Sequence, residues 1–400
     1  MLELDACAEF NAAHDADFFA RLLARPAVFR IEPRAELVGA QTYLLRTADL
    51  RRRLERLLGS PDPTSKRLNL REFAGRVAYR VAGSQFEVRF IHWQHAKAQW
   101  PTAYRERTRL RPPAMLKINL ANDYPRCTIT RRIGASGFYH GPFSSRRAAE
   151  AFSSRFLDLF KVRRCHIKIL RDPEFPGCIY SEMKMCLAPC FAGCTKQEYD
   201  AEVERVVAFL STGGQSLAHE LETARDAASE QQDFERARSL HRQIEKAEDV
   251  LRGLPELARR LEDLNAVVLQ AAAEPQTIAV FQLRAGRIAE PFLLRFAELA
   301  TQPRSAEEIL REALNSNSAP ATRDDPRELE DHLALLSRWY YAKPRVGEIF
   351  FRTGPSADGW PYRRILRACS RLLAPRLAPK PASKPAPKPT TNIDPSEPIA

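Results

Sequence analysis

The chain has 400 residues, 44% of them hydrophobic and 28% charged, enough to bury a core over roughly two or three domains. No apolar run approaches the roughly 18 residues that a membrane-spanning helix needs, so no membrane is expected. The net charge of +12 and pI of about 9.5 favour polyanionic partners and say nothing about fold.

Residues 1–25 read as a short helical lead-in around DFFARLLAR. MLELDACAEF carries acids where a signal peptide would be basic, so the expected compartment is a reducing cytoplasm. PAVFRIE alternates and predicts a strand over 26–32. QTYLLRT predicts a second over 41–47, beyond a turn at Gly39. Asp49 opens the basic helix LRRRLERLL, which Gly59 and Pro61 stop. GRVAYRVAG predicts a third strand, and Ser84 caps a helix that runs to Pro101. Residues 26–101 therefore read as a small α/β domain with a three-stranded sheet. A basic α/β extension over 102–164 follows, with strands near LKINL and RCTIT and a turn at GFYHGPFSS. Residues 197–252 read as helical. Residues 255–374 read as a small α+β region with a hairpin at Gly286, helices over 300–342 and a last strand at GEIFFR. From 375 to 400, eight of 26 residues are proline, which predicts a disordered tail.

Cys165, Cys178, Cys186, Cys190 and Cys194 lie within thirty residues, so 165–194 form a Cys-rich module. Thiolates are soft ligands, and the first four predict a metal centre in a chain without export features. A disulfide pair or a group of buried thiols is the alternative. The spacing does not separate zinc from iron–sulfur. The positive charge is clustered nearby. Trp100–Arg132 holds eight Lys/Arg against two acids, and Arg155–Arg171 holds six against one. Arg105, Arg107, Arg109, Arg111, Lys117, Arg163 and Arg164 are the expected phosphate contacts.

The order of these segments resembles the N-terminal part of the UvrC family of excinucleases, including short single-nuclease relatives such as Cho. PAVFRI is similar to the first motif of a GIY-YIG nuclease domain, TYLLRTADLRRRL to the second, and GSQFEVRFI to the helix that follows. RPPAMLKINLANDYP, GFYHGPFSS and CLAPC resemble later family strings. The resemblance implies an iron–sulfur cluster on Cys165, Cys178, Cys186 and Cys190, with zinc as the alternative. HELETARDAASEQQDFERARSLHRQIEKAEDVL resembles the UVR motif, a helical hairpin that docks on UvrB. Phe234, Glu235 and Ile244 are then the expected partner contacts. An ordinary hairpin packed on its own domain is the plainer alternative.

By the same resemblance, Tyr43 is the second-motif tyrosine and Arg53 the helix arginine that contacts the scissile phosphate. Arg46 keeps a family lysine's charge, and Glu87 is the carboxylate that would hold Mg2+ or Mn2+. Phe29, Leu45 and Met115 depart from the family pattern. A phenyl ring at Phe29 accepts no proton. Leu45 replaces a glycine that admits close backbone approach, and Met115 replaces an asparagine. IAVFQLRAGRI resembles the strand pair opening the family's second, RNase H-like nuclease, but no acidic triad follows it. The resemblance implies nucleotide excision repair on damaged double-stranded DNA in a bacterial cytoplasm, by incision together with UvrB. A catalytically inactive DNA-binding and UvrB-docking adaptor is the second reading. A metal or redox protein unrelated to repair is the third.

Overall fold

The structure is a computed structural model that describes residues 1–61, 64, 66–299, 303–316, 325–354 and 359–374. The proline-rich tail lies outside the described residues.

The first sheet has four strands rather than the expected three. β1 (Ala6–Glu9) adds to the edge of β4 (Ala74–Val81), giving the antiparallel order β1-β4-β2-β3 with β2 (Ala27–Pro33) and β3 (Tyr43–Thr47). Only every second residue of β1 is even half-buried, so four residues of weak alternation carried no strand signal. α1 (Asp15–Arg21) and α2 (Leu50–Leu58) cover one face of this sheet. The Asp49 carboxylate accepts the Arg52 N–H and opens α2; Gly59 closes it. α3 (Gln85–Gln99), capped by Ser84, covers the other face.

After the short α4 (Tyr104–Arg107), a second antiparallel sheet runs β6-β5-β7-β8. It is formed by β5 (Ala114–Ile118), β6 (Cys127–Thr130), β7 (Phe138–Phe143) and β8 (Arg259–Arg260). The expected turn at GFYHGPFSS is β7, an interior strand with every residue buried. Its glycine and proline read as turn signals. Gly141, at φ +146, instead lets β7 pass Met115, whose Sδ would lie 2.8 Å from a Cβ there. α5 (Arg146–Leu157) packs on this sheet. The Cys-rich module then contributes only α6 (Ile179–Glu182) and a single 3-10 turn.

α7 (Lys196–Ser211) precedes a two-helix hairpin, α8 (Gln215–Glu230) and α9 (Phe234–Leu251), which turns at Gln232 with φ +58. Leu217 and Leu221 of α8, with Ile244, Ala247 and Val250 of α9, pack into the same core as β5, β7, α5 and α7. Phe234, at the start of α9, lies outside that core and is 69% exposed.

The third sheet follows the order β11-β10-β9-β13, made by β9 (Ala266–Ala271), β10 (Thr277–Arg284), β11 (Arg287–Ile288) and β13 (Glu348–Phe351). β12 (Phe292–Arg295) also pairs with β10. The near-continuous apolar runs of β9 and β10 are buried on both faces. Val268, Ala279 and Phe281 face α3 and α12 (Pro326–Tyr340). Val267, Ile278 and Val280 face α11 (Ala306–Ser316) and α13 (Tyr362–Leu373). The short α10 (Phe296–Leu299) follows β12. The C-terminal region is therefore packed against α3 of the first domain. At that seam Gly83 admits no side chain, since a Cβ would lie 2.0 Å from the Ala271 carbonyl oxygen.

Candidate nuclease-like site and nucleic-acid interface

Odd-numbered residues of β2 and β3 face α1 and α2. Phe29 is fully buried there, between Leu45 and Tyr79 across the sheet. Tyr43 shares that face but sits at the sheet edge, 36% exposed, its ring edge-on to Phe73 with centroids 5.1 Å apart. Arg53 on α2 is half-buried, and its Nε has no partner. Met115 is buried in the central core.

Glu87 stands apart from these residues. It is buried at the start of α3, where Oε2 accepts the Gly83 N–H at 3.0 Å and its own N–H donates to Ser84 Oγ at 3.1 Å. Burial raises its pKa above the ordinary carboxylate value. This is the geometry of a helix cap beneath the C-terminal sheet. On the face opposite the Tyr43 ring, α3 presents His92 to the Leu44 backbone. Tyr43 and His92 both line a cavity of about 540 Å³, with Phe73, Trp100 and Arg107 on its walls. Burial lowers the His92 pKa to about 4, helped by the charge of Arg46, so the imidazole is neutral at neutral pH. Tyr43 and His92 thus line one cavity from opposite faces of β3. Neither Arg53 nor Glu87 lines that cavity.

The seven expected phosphate contacts divide. Arg105 is consumed internally. Its Nε donates to Asp331 at 2.6 Å, Nη1 to Glu330 at 2.9 Å and Nη2 to the Arg327 carbonyl at 2.6 Å. Arg163 is buried and donates to the carbonyls of Tyr124 and Ile167. Arg164 pairs with Asp158 at 2.8 Å. Arg107 lies over the Trp100 ring at 4.4 Å and Lys117 over Tyr139 at 5.5 Å. Arg109 and Arg111 are exposed and line a groove of about 460 Å³, together with Arg131 and Arg338. Ser144, Ser145 and Ser337 add hydroxyls, and the Ser337 hydroxyl is buried without a partner. No carboxylate is among the lining residues. Arg338 also acts on Arg89 of α3 and Arg46 of β3, lowering the pKa of each after burial has done so. None of these six arginines pairs with a carboxylate among the described residues. Clustered guanidiniums without counter-charges form an anion-binding face.

Arg89, His92 and Arg338 were missed in the sequence. Arg89 and His92 stand three apart on one face of a helix, a usable signal. Arg338 lies far along the chain from both basic stretches and carried none.

None of the eight cysteines is paired in a disulfide. Burial pushes the Cys186 thiol up to about 11. The Ala188 N–H, 3.3 Å from its Sγ, opposes this, while Cys165, Cys190 and Cys178 add to it. The Arg163 guanidinium lies 4.0 Å from Cys165 Sγ. Among the described residues, however, no three His, Cys, Asp or Glu side chains are gathered as a metal-binding set. The donor chemistry fits a soft cation; the side chains are not drawn into ligating positions. Lys184, Ala188 and Ala192 all have positive φ in this module. Such residues cost on the order of 1 kcal/mol or more each, and persist where something else holds the loop.

Of the hairpin residues, Phe234 and Glu235 are exposed, whereas Ile244 is buried against α5 and α7 and offers no free surface.

Residues 114–209 match the family described as the UvrC/Cho excinuclease middle domain. The chain is 31% identical over 175 residues to the UvrABC system protein C of Ruminiclostridium cellulolyticum, covering 43% of this chain and 28% of the relative. It is 31% identical over 176 residues to that of Methanothermobacter thermautotrophicus, covering 43% and 29%. It is 23% identical over 246 residues to that of Acetivibrio thermocellus, covering 58% and 39%. The chain thus spans well under half the length of these curated relatives. No solved structure matches. No helix among the described residues is long and apolar enough to cross a membrane.

Proposed function

We propose, from the premise that this chain is UvrC-like, that it serves nucleotide excision repair by binding damaged double-stranded DNA without cutting it through the nuclease-like domain. The observation that carries this reading is the arginine groove with no carboxylate in its lining. Duplex backbones present a dense row of phosphates, and unpaired guanidiniums are suited to it. Phosphodiester hydrolysis needs a metal-held water or a positioned base, with charge stabilisation at the phosphorus. Phe29 supplies no base and points into the core. Glu87 is engaged as a cap. A neutral imidazole, His92, stands where α3 meets Leu44 of β3, on the face away from the Tyr43 ring. The exposed Phe234–Glu235 corner of the α8–α9 hairpin suits docking to UvrB.

The direct test is incision of a lesion-bearing duplex with Mg2+ or Mn2+, with and without UvrB. Binding without incision is the expected result. Phe29→Tyr should not restore cutting, because its hydroxyl would enter a sealed core. Incision by the wild type that is lost in both Tyr43→Phe and Arg53→Ala would overturn the reading. It would support an active nuclease, which the exposed Tyr43 and the unpartnered Arg53 Nε favour.

We further propose that Cys165, Cys178, Cys186 and Cys190 hold an iron–sulfur cluster, or zinc in its place. When bound, the group would cross-link a module that has almost no regular structure. Anaerobically purified protein should therefore contain iron or zinc by elemental analysis. Cys186→Ser should remove it and loosen the module, since metal affinity is folding free energy in such sites. Cys194, buried in the middle core, should be replaceable by alanine without metal loss. Protein free of both metals would refute the assignment.

A further inference from the structure

A cavity of about 810 Å³ opens where β7, the ends of α7 and α9 and the start of the third sheet meet. It shares no lining residue with the Tyr43 cavity or the arginine groove. His140 of β7 lines it, is 2% exposed, and has no hydrogen-bond partner at either ring nitrogen. Ser211, at the end of α7, also lines it, with a buried and unpartnered hydroxyl. An orphaned buried polar group is destabilising, and native proteins leave few of them. Two on one cavity wall, from two elements, point to a ligand that completes them.

The chemistry of the walls narrows the ligand. Burial lowers the His140 pKa to about 3, with the Arg259 charge adding to it, so the ring is neutral. A neutral imidazole donates at one nitrogen and accepts at the other, and Ser211 can do both. Together they match the mixed donor–acceptor edge of a heterocycle. Phe209 and Leu254 give this end an apolar surface. The rest of the lining carries Arg259, Arg260 and Arg352 against Glu256 and Asp263, three positive charges to two negative. Arg259 is held in place, its guanidinium 3.9 Å from the Phe351 ring centroid and donating to the Glu256 carbonyl. Arg260 is paired with Glu262 at 2.9 Å. With Arg260 neutralised by Glu262, it is Arg259, which pairs with no carboxylate side chain among the described residues, whose charge suits one anionic group.

We infer that this cavity binds a nucleoside monophosphate unit, its base edge on His140 and Ser211 and its phosphate toward the arginines. The unit is either a free nucleotide or a nucleotide turned out of a DNA strand. The cavity stands apart from the proposed function; only the DNA source rests on that reading.

The test is titration calorimetry on the full chain with the four deoxynucleoside monophosphates, inorganic phosphate and a short single-stranded oligonucleotide. At least one nucleotide or the oligonucleotide should bind one to one, and tighter than inorganic phosphate. His140→Phe and Ser211→Ala should each weaken it by about tenfold or more, the scale of one lost hydrogen bond to a buried group. His140→Phe keeps the ring beside Phe152, with which His140 stacks at 5.7 Å. Without ligand it should melt at or above the wild-type temperature, because two orphaned nitrogens are gone. Binding of monophosphates assigns a free nucleotide. Binding of the oligonucleotide alone, still lost in His140→Phe, assigns an extruded one. Absence of binding, binding no tighter than inorganic phosphate, or binding indifferent to both variants would overturn the inference. Replacing the groove arginines should leave monophosphate binding unchanged, so loss of duplex binding and loss of this site can be told apart.

Discussion

Asp331→Ala should destabilise the protein by about 3–5 kcal/mol, the cost of removing one partner from a buried charge pair. Asp331 is fully buried on α12. Its Oδ1 accepts Arg105 Nε at 2.6 Å. Its Oδ2 accepts the Tyr104 hydroxyl at 2.5 Å and Trp93 Nε1 at 3.2 Å. These donors lie on α3 and α4, so one carboxylate ties the C-terminal helix to the first domain. Burial, followed by the bond to Asp331, raises the Tyr104 pKa to about 12, so the phenol stays a donor. Alanine would leave the Arg105 Nε, the phenol and the indole N–H without their acceptor together. Urea denaturation should show the midpoint falling, and Asp331→Asn, which still accepts, should fall less. A loss below about 1 kcal/mol would mean the network contributes no more than an exposed pair.

Replacing Arg109, Arg111, Arg131 and Arg338 with alanine together should weaken duplex binding on the order of 10³-fold at ~0.1 M salt, since each lost phosphate contact costs nearly one decade at that ionic strength. The slope of log affinity against log salt should shrink by about 3–4. Thermal stability should hold, because none of the four arginines has a carboxylate partner to lose among the described residues. Arg105→Ala should do the opposite, costing stability through Asp331 and Glu330 with little direct effect on the salt slope. Titrations across a salt series, with a melting curve for each variant, separate the two. Unchanged affinity in the fourfold variant would remove the groove from the interface.

The contrast between Arg105 and Arg109 marks what was legible in advance. Both lie in one basic run, and nothing local distinguishes them. Local chemistry did identify the elements whose causes are local. Asp49 and Ser84 cap α2 and α3, Gly59 ends α2, and alternating or continuous apolar runs became β2, β3, β4 and β10. The clustered cysteines and the order of the motifs also belong to the sequence alone, and they led to the UvrC-like assignment that the match over 114–209 supports. The tertiary structure decided everything that depends on partners far along the chain. It placed Glu330 and Asp331 on Arg105 and left Arg109 open. It turned Glu87 to Gly83 and His92 to the Leu44 backbone. It closed β7 inside a sheet despite its glycine and proline, and it left Phe234 outside the core that took Ile244. A cap or a strand is set by bonds over a few residues. Whether a charge is neutralised, or a ring buried, is set by which surfaces meet through space, and Arg105 meets Asp331 across 226 positions of chain.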